Sequence, residues 1–128
     1  MIVTATRRFD LLGALPLQGL VRTLAGTAHA VDPRDDTTPR ITLDFTGGHL
    51  YASVSTDAVA QTRVCAYRGA PSTGRIRPYD ALFIARIGQS EYDQDGEVTV
   101  WGHHENGAEW LTFIFPSGEE GTVENYHC

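Results

Sequence analysis

Residues 40–54 read RITLDFTGGHLYASV, and this stretch decides the fold that the sequence predicts. Apolar and polar side chains alternate before the glycine pair, so Ile41, Leu43 and Phe45 share one face of a strand. Residues 46–48 are typical of a turn, and a second strand then returns with its own apolar side chains facing inward. The stretch is therefore expected to be a β-hairpin with one apolar face.

A similar stretch lies 70 positions later, where residues 110–118 read WLTFIFPSG. We interpret the chain as two copies of one unit, at about residues 7–56 and 77–126, because turns align with turns and apolar stripes with apolar stripes. Residues 57–76 are expected to connect them. Seven residues are identical at this offset, namely Arg7, Asp10, Leu12, Gly26, Thr42, Phe45 and Gly48, which match Arg77, Asp80, Leu82, Gly96, Thr112, Phe115 and Gly118.

Each unit is predicted to be a three-stranded meander led by a short helix or turn. In the second unit we expect Asp80 to cap a helix over residues 81–87 that ends at Gly88. Residues 98–101 then form a strand, and Asn106-Gly107 is a strong hairpin signal. The next hairpin loop is predicted at Pro116-Ser117-Gly118, with the glycine in the left-handed conformation.

The first unit and the connector follow the same plan with weaker signals. Residues 10–17 are expected to be a short helix, with a strand as the alternative, because a short apolar run does not decide between them. We expect the first strand of the meander at residues 28–31 and a connector strand at 59–67. Residues 68–75 are predicted to be a mobile loop.

The predicted fold is therefore mainly β, with an α+β arrangement possible, in a single domain over residues 1–128. A three-stranded meander cannot cover its own apolar face. The two meanders must pack as a sandwich or close into a small barrel.

Charge excludes some functions. The net charge is −6, and all ten basic residues are arginine. Nucleic-acid binding is not expected, because phosphate recognition needs a basic surface. A basic protein partner fits this charge better. We expect no cofactor, and the sequence does not indicate an oligomeric state.

We expect a cytoplasmic protein without a membrane span, since no apolar run approaches the length that a bilayer requires. The arginine pair and apolar run in residues 6–17 resemble a signal peptide, but Asp10 interrupts them, so we interpret this segment as part of the fold. Cys65 and Cys128 lack metal-type spacing and are expected to be reduced thiols, since a bridge between them would require export.

No catalytic residue and no metal ligand is predicted. His103 and Glu105 share one face of a strand while His104 points to the other, and zinc needs three or more protein ligands. Cys65 lies in an apolar strand, where a thiol stays protonated, and no serine lies in a nucleophile motif. The protein is therefore expected to act without catalysis, although the sequence does not exclude an enzyme.

The candidate binding residues are aromatic side chains near acidic groups, a combination typical of protein-binding surfaces. The alternative is that these aromatics border the core with their polar atoms in water. We select six residues: Tyr92, Trp101, His103, Glu105, Trp110 and Tyr126.

Residues 101–115 follow the pattern W-x4-NG-x3-L-x-F-x-F, after an apolar segment that ends at Ile87-Gly88. This arrangement resembles small uncharacterised bacterial families of two-unit β domains of the immunity-protein type, which are often encoded near polymorphic toxins. The resemblance covers mainly the second half of the chain. It implies a stoichiometric protein-binding role and assigns no catalytic residue.

Two functional hypotheses follow. The first is a non-enzymatic protein-binding module, an immunity or inhibitor protein, that uses an acidic, aromatic-bearing face against a basic partner. The alternative is a small β-barrel that binds an apolar metabolite in its interior and isomerises or cyclises it.

Overall fold

A computed structural model describes residues 9–35 and 39–126 of the chain. The first half contains β1 (Asp10–Pro16), α1 (Leu17–Ala28), β2 (Ile41–Thr46), β3 (His49–Ser55) and β4 (Ala60–Ala66). After the two-residue strand β5 (Arg68–Gly69), the second half contains β6 (Ser72–Ile76), α2 (Pro78–Gln89), β7 (Glu97–Glu105), β8 (Ala108–Ile114) and β9 (Glu120–Asn125).

The strands form two antiparallel sheets that pack together. Sheet A has the order β5-β1-β7-β8-β9, and sheet B has the order β4-β3-β2-β6. The predicted fold, mainly β with two meanders each led by a helix, is confirmed. Of the two packings, the sheets adopt the sandwich and do not close into a barrel. The barrel interior that the metabolite hypothesis requires is therefore not formed.

The two halves exchange their first strands. The meander β7-β8-β9 is completed by β1 from the first half, which pairs with β7. In the same way, β6 from the second half pairs with β2 and completes the meander β2-β3-β4. Each sheet is therefore built from both halves of the chain.

The core is one contiguous cluster of buried side chains from both sheets and both helices. Ile41, Leu43 and Phe45 are at most 1% exposed, which confirms the inward face predicted for the hairpin. In α1 the apolar residues Leu17, Leu20 and Leu24 recur at helical spacing and are equally buried. Burial of these faces holds the helices against the sheets.

One corner between the sheets is tied by Tyr67, which lies between β4 and β5. Its hydroxyl oxygen is 2.7 Å from the carbonyl oxygens of both Leu12 and Ala70. The chain passes here from sheet B to sheet A, as strands do at the corners of packed sheets.

The corner between β6 and β9 is tied through Arg75. The backbone N–H of Tyr126 donates to the carbonyl of Arg75 at 2.7 Å, and the N–H of Arg75 donates to Oδ1 of Asn125 at 2.8 Å. These bonds satisfy backbone groups that an edge strand would otherwise leave without partners.

The predicted 70-residue offset is wrong, because it does not superpose equivalent elements. Phe45 lies in β2, the first strand of its meander, whereas Phe115 follows β8, the second strand of the other. The buried positions of the two helices coincide instead when Leu17 of α1 is aligned with Pro78 of α2. Five further pairs follow this shift without one identity: Leu20 and Ala81, Val21 and Leu82, Thr23 and Ile84, Leu24 and Ala85, Thr27 and Gly88.

The prediction for the leading segment of the first unit is corrected in two places. Residues 10–16 form the strand that the sequence left as an alternative, and the predicted strand at 28–31 is wrong, because α1 extends to Ala28. Gly19 and Gly26 lower the helix propensity of α1, so the composition of this segment does not indicate a helix. The helix is recognised from the periodic burial of its side chains. Arg7 and Arg8 lie outside the described residues.

The connector prediction is right for β4 and wrong for the loop at residues 68–75. That segment contains β5 and most of β6, and β6 pairs with β2 from Ile41 opposite Ile76 to Phe45 opposite Ser72. Its Gly, Ser and Thr content favours a loop, but a partner strand distant in sequence supplies the hydrogen bonds.

The helix α2 begins earlier than predicted, because Pro78 occupies its first turn. Asp80 is not the cap and instead pairs with the guanidinium of Arg77 at 3.0 Å. The turn at Asn106-Gly107 is confirmed, with φ of 54° and 78°, and Gly118 adopts the predicted left-handed conformation with φ of 92°. No helix within the described residues has the length and apolar character to cross a membrane.

Candidate functional site

The outer face of sheet A is set by the alternation of side chains along β7. Val98 and Val100 are fully buried in the core, so Trp101, His103 and Glu105 lie on the opposite face. The pairing of the strands then decides which residues of β8 and β9 share this outer face.

This face contains a groove of about 420 Å³, which we call the acidic aromatic groove. Its lining from β7 and β8 consists of Trp101, His103, Glu105, Trp110, Thr112 and Ile114. Glu120 and Thr122 of β9 and Phe9, directly before β1, complete it. The groove therefore crosses three neighbouring strands of one sheet.

The floor of the groove is a chain of polar groups across these strands. Nε2 of His103 lies 3.3 Å from Oγ1 of Thr112, which lies 2.8 Å from Oγ1 of Thr122. The ring of Phe9 covers His103 with 4.3 Å between the ring centroids. His103 and Thr112 are only 5% and 3% exposed, although they lie on the outer face. Their hydrogen bonds fix the floor in one arrangement.

The two tryptophans in the groove differ in how their indole N–H groups are satisfied. Nε1 of Trp101 donates to Oγ1 of Thr99 at 2.9 Å, within the same strand. Nε1 of Trp110 is buried and has no hydrogen-bond partner among the described residues. Burying such a donor without a partner costs about 1–3 kcal/mol of stability.

The charge of the groove is acidic. Glu105 and Glu120 line it, and among its described lining residues only His103 can become cationic. The net charge of residues 87–128, which include β7, β8 and β9, is also negative. All ten arginines lie in residues 1–86, together with seven Asp and Glu. Residues 87–128 have no Arg or Lys and nine acidic residues, namely Glu91, Asp93, Asp95, Glu97, Glu105, Glu109, Glu119, Glu120 and Glu124.

Four of the six residues selected from the sequence meet in the groove: Trp101, His103, Glu105 and Trp110. Tyr92 lies elsewhere, partly buried against the core, and its carbonyl accepts from Nε2 of Gln18 at 2.9 Å. Tyr126 also lies outside, with the guanidinium of Arg40 4.0 Å above its ring. Aromatic character alone therefore selected too many residues.

Five lining residues were not predicted from the sequence, namely Phe9, Thr112, Ile114, Glu120 and Thr122. Part of this set could have been predicted from the sequence, because the Asn106-Gly107 turn fixes the pairing of Glu105 with Ala108 and hence of Trp101 with Thr112. Phe9 could not have been predicted from the sequence, since its position depends on β1 pairing with a strand more than 80 residues away.

His104 points away from Trp101 and Glu105, as predicted, and its Nε2 lies 3.4 Å from Oε1 of Glu109. In the part of the chain that the structure describes, no group of three or more His, Cys, Asp or Glu side chains could hold a metal ion. His127 and Cys128 lie outside that part.

A second pocket, of about 560 Å³, lies between α1 and β4 and contains Cys65. Cys65 has a free thiol. Burial raises the pKa of this thiol, while a hydrogen bond from Thr23 and the charge of Arg22 lower it to a lesser degree. A thiol with a raised pKa is a weak nucleophile at neutral pH, so this pocket does not indicate covalent catalysis.

No protein family and no curated protein matches this sequence.

Proposed function

We propose that this protein is a non-enzymatic binding module that holds a basic protein partner in the acidic aromatic groove. One observation carries the proposal: Trp101, Trp110 and Phe9 line the same groove as Glu105 and Glu120. Trp side chains and desolvated contacts account for much of the binding energy at protein interfaces. Carboxylates around them favour a cationic surface and exclude an acidic one.

The rigidity of the groove supports the same role. Its floor is tied by hydrogen bonds that connect His103, Thr112 and Thr122, and its lining residues other than Phe9 lie on strands. A surface that is already ordered loses little conformational entropy on binding. Within this proposal, the role of an immunity or inhibitor protein fits a stoichiometric complex, and the free thiol of Cys65 fits a cytoplasmic location.

The proposal is tested by capture from a lysate of the source organism with three forms of the immobilised protein. Wild type and Tyr51→Ala, which changes an exposed aromatic residue on sheet B, are expected to capture the same basic protein. Trp101→Ala is expected to lose it, because the change removes a large part of the groove. Capture is also expected to weaken from about 0.05 M to about 0.5 M NaCl, since salt screens the charges.

Circular dichroism of the three forms provides the control for folding. If Trp101→Ala is folded and captures the partner as wild type does, the groove is not the binding site. The absence of any captured protein at low salt would also contradict the proposal.

A further inference from the structure

The two carboxylates of the groove lie at its opposite ends. Strand pairing places Glu120 in one row with Ile114 and places Glu105 opposite Ala108. Between these rows lie two others, one with Trp101, Thr112 and Thr122 and one with His103, Trp110 and Glu124, and Glu124 is not among the lining residues of the groove. Same-face residues on a strand are about 6.7 Å apart, so the end rows are separated by roughly 20 Å along the strands.

The lining of the middle of the groove is aromatic, with two threonines, and contains no carboxylate. Trp101 and Trp110 lie in adjacent rows and on neighbouring strands, and Phe9 lies over His103 on the other side of β7. A single cationic side chain cannot contact both carboxylates across this distance. The groove therefore has two acidic ends separated by aromatic side chains above a floor of polar groups.

This arrangement restricts what can occupy the groove. A volume of about 420 Å³ admits a few side chains but no folded domain. A chain in extended conformation advances about 3.3 Å per residue, so roughly six residues cover 20 Å. Arginine suits the two ends better than lysine, because its planar guanidinium pairs with carboxylates and also stacks on indole rings.

We infer that the groove binds an extended segment of the partner with two arginines about six positions apart and an apolar residue between them. One arginine lies against Glu105, the other lies against Glu120, and the apolar residue lies over the tryptophans. This inference rests on the proposed function and adds the chemistry and spacing that the groove recognises.

The test uses the full chain and fluorescein-labelled heptapeptides, with binding measured by fluorescence anisotropy at low salt. The probe RSLSASR carries arginines six positions apart with its leucine on the same face of the extended chain, and RRSLSAS has the same composition and charge with adjacent arginines. We expect RSLSASR to bind roughly threefold to tenfold more tightly than RRSLSAS, and than the single-arginine peptides QSLSASR and RSLSASQ.

Variants of the two carboxylates assign each arginine to one end. Glu105→Gln and Glu120→Gln are each expected to weaken RSLSASR binding by roughly threefold to tenfold. The matched control Glu119→Gln removes the same charge one residue outside the groove and is expected to change the affinity less than about twofold. In Glu105→Gln, replacing the arginine that pairs with Glu105 in wild type should have no further effect on the affinity. In Glu120→Gln, the same holds for replacing the other arginine.

Equal binding of RSLSASR and RRSLSAS would overturn the inference, as would unchanged binding in both carboxylate variants. Absence of binding to any peptide would overturn it as well. These failures differ from failure of the proposed function, which would appear as normal capture of the partner by folded Trp101→Ala or as no captured protein at low salt. If Trp101→Ala loses the partner while the peptides show no spacing preference, the groove binds a basic surface of another shape.

Discussion

Tyr67 shows how much one side chain contributes to this fold. Its ring is buried and packs against Phe45 with 4.8 Å between ring centroids, while its hydroxyl lies at hydrogen-bond distance from Leu12 and Ala70. The same residue therefore contacts the core of sheet B and the backbone beside sheet A. Burial raises the pKa of the Tyr67 hydroxyl above its usual value.

We predict that Tyr67→Phe lowers the free energy of unfolding by about 1–2 kcal/mol at neutral pH, because two carbonyl groups lose their shared donor. A raised pKa in the folded state means that this stabilisation is complete below the pKa of about 10 of an unfolded tyrosine. It is lost as the pH rises through the folded pKa, since ionisation favours the unfolded chain.

Urea unfolding of wild type and Tyr67→Phe at about pH 8 and about pH 11 measures this effect. The difference between the two proteins should shrink at the higher pH. Cys65, whose pKa is also raised, is present in both proteins, so its titration cancels. A difference that stays constant with pH would show that the Tyr67 hydroxyl does not stabilise this corner.

At the scale of elements, the contact between the two helices depends on Gly88 of α2. A Cβ atom at this position would lie 2.4 Å from Cγ2 of Val21, 3.0 Å from Cε1 of Phe115 and 3.3 Å from Cδ1 of Leu17. Val21 and Leu17 belong to α1 and are buried, so they cannot move without disturbing the core. The glycine therefore sets how closely the helices approach.

We predict that Gly88→Ala lowers the free energy of unfolding by about 1–3 kcal/mol through overpacking. The matched control is Gly26→Ala in α1, where a Cβ atom would meet only the end of the Arg63 side chain, which is exposed. Both changes gain helix propensity of about 1 kcal/mol, so Gly26→Ala should be neutral or stabilising. Thermal unfolding of both variants compares them, and equal effects would contradict the proposed role of Gly88.

The sequence was informative wherever local chemistry decides an element. The hairpin strand β2, the turns at Asn106-Gly107 and Gly118, and the strand β4 follow from side-chain alternation and from glycine conformation. The strand β6 and the helix α1 did not follow, since their stability comes from distant partners rather than from propensity.

The candidate site was predictable to a similar degree and for the same reason. Trp101, His103 and Glu105 share a face because residues two apart on a strand do so, and Trp110 joins them through a tight turn. Tyr92 was selected for its residue type, but it follows α2 and packs against the core instead. Phe9 needed knowledge of the sheet topology, which no local pattern contains.

At the scale of the whole molecule, the exchange of β1 and β6 makes each half depend on the other. Without β1 the meander of the second half has an open edge at β7, and without β6 the first has one at β2. Buried residues of the exchanged strands include Leu15 in β1 and Ile76 in β6, both 0% exposed. Neither half can therefore complete its sheet or its core alone.

We predict that fragments 1–70 and 71–128 are each unfolded alone and regain the fold when mixed. The break lies between β5 and β6, so no strand is cut. Near-ultraviolet circular dichroism of the mixture should match that of the intact chain, since fixed aromatic packing gives this signal.

A mixture containing Ile76→Asp in the second fragment provides the control, because a carboxylate at this buried site prevents β6 from docking. This mixture should remain unfolded. Cooperative unfolding of either fragment by itself would contradict the prediction and would show that one half is an independent domain.

The strand exchange also governs what happens while the chain emerges from a ribosome. β7, the main pairing partner of β1, is synthesised roughly 80 residues after β1 itself, which takes about 4–16 s at typical translation rates. During this interval the nascent first half exposes unpaired strand edges and apolar side chains that the second half covers in the folded protein. This topology therefore favours folding after synthesis is complete over stepwise cotranslational assembly.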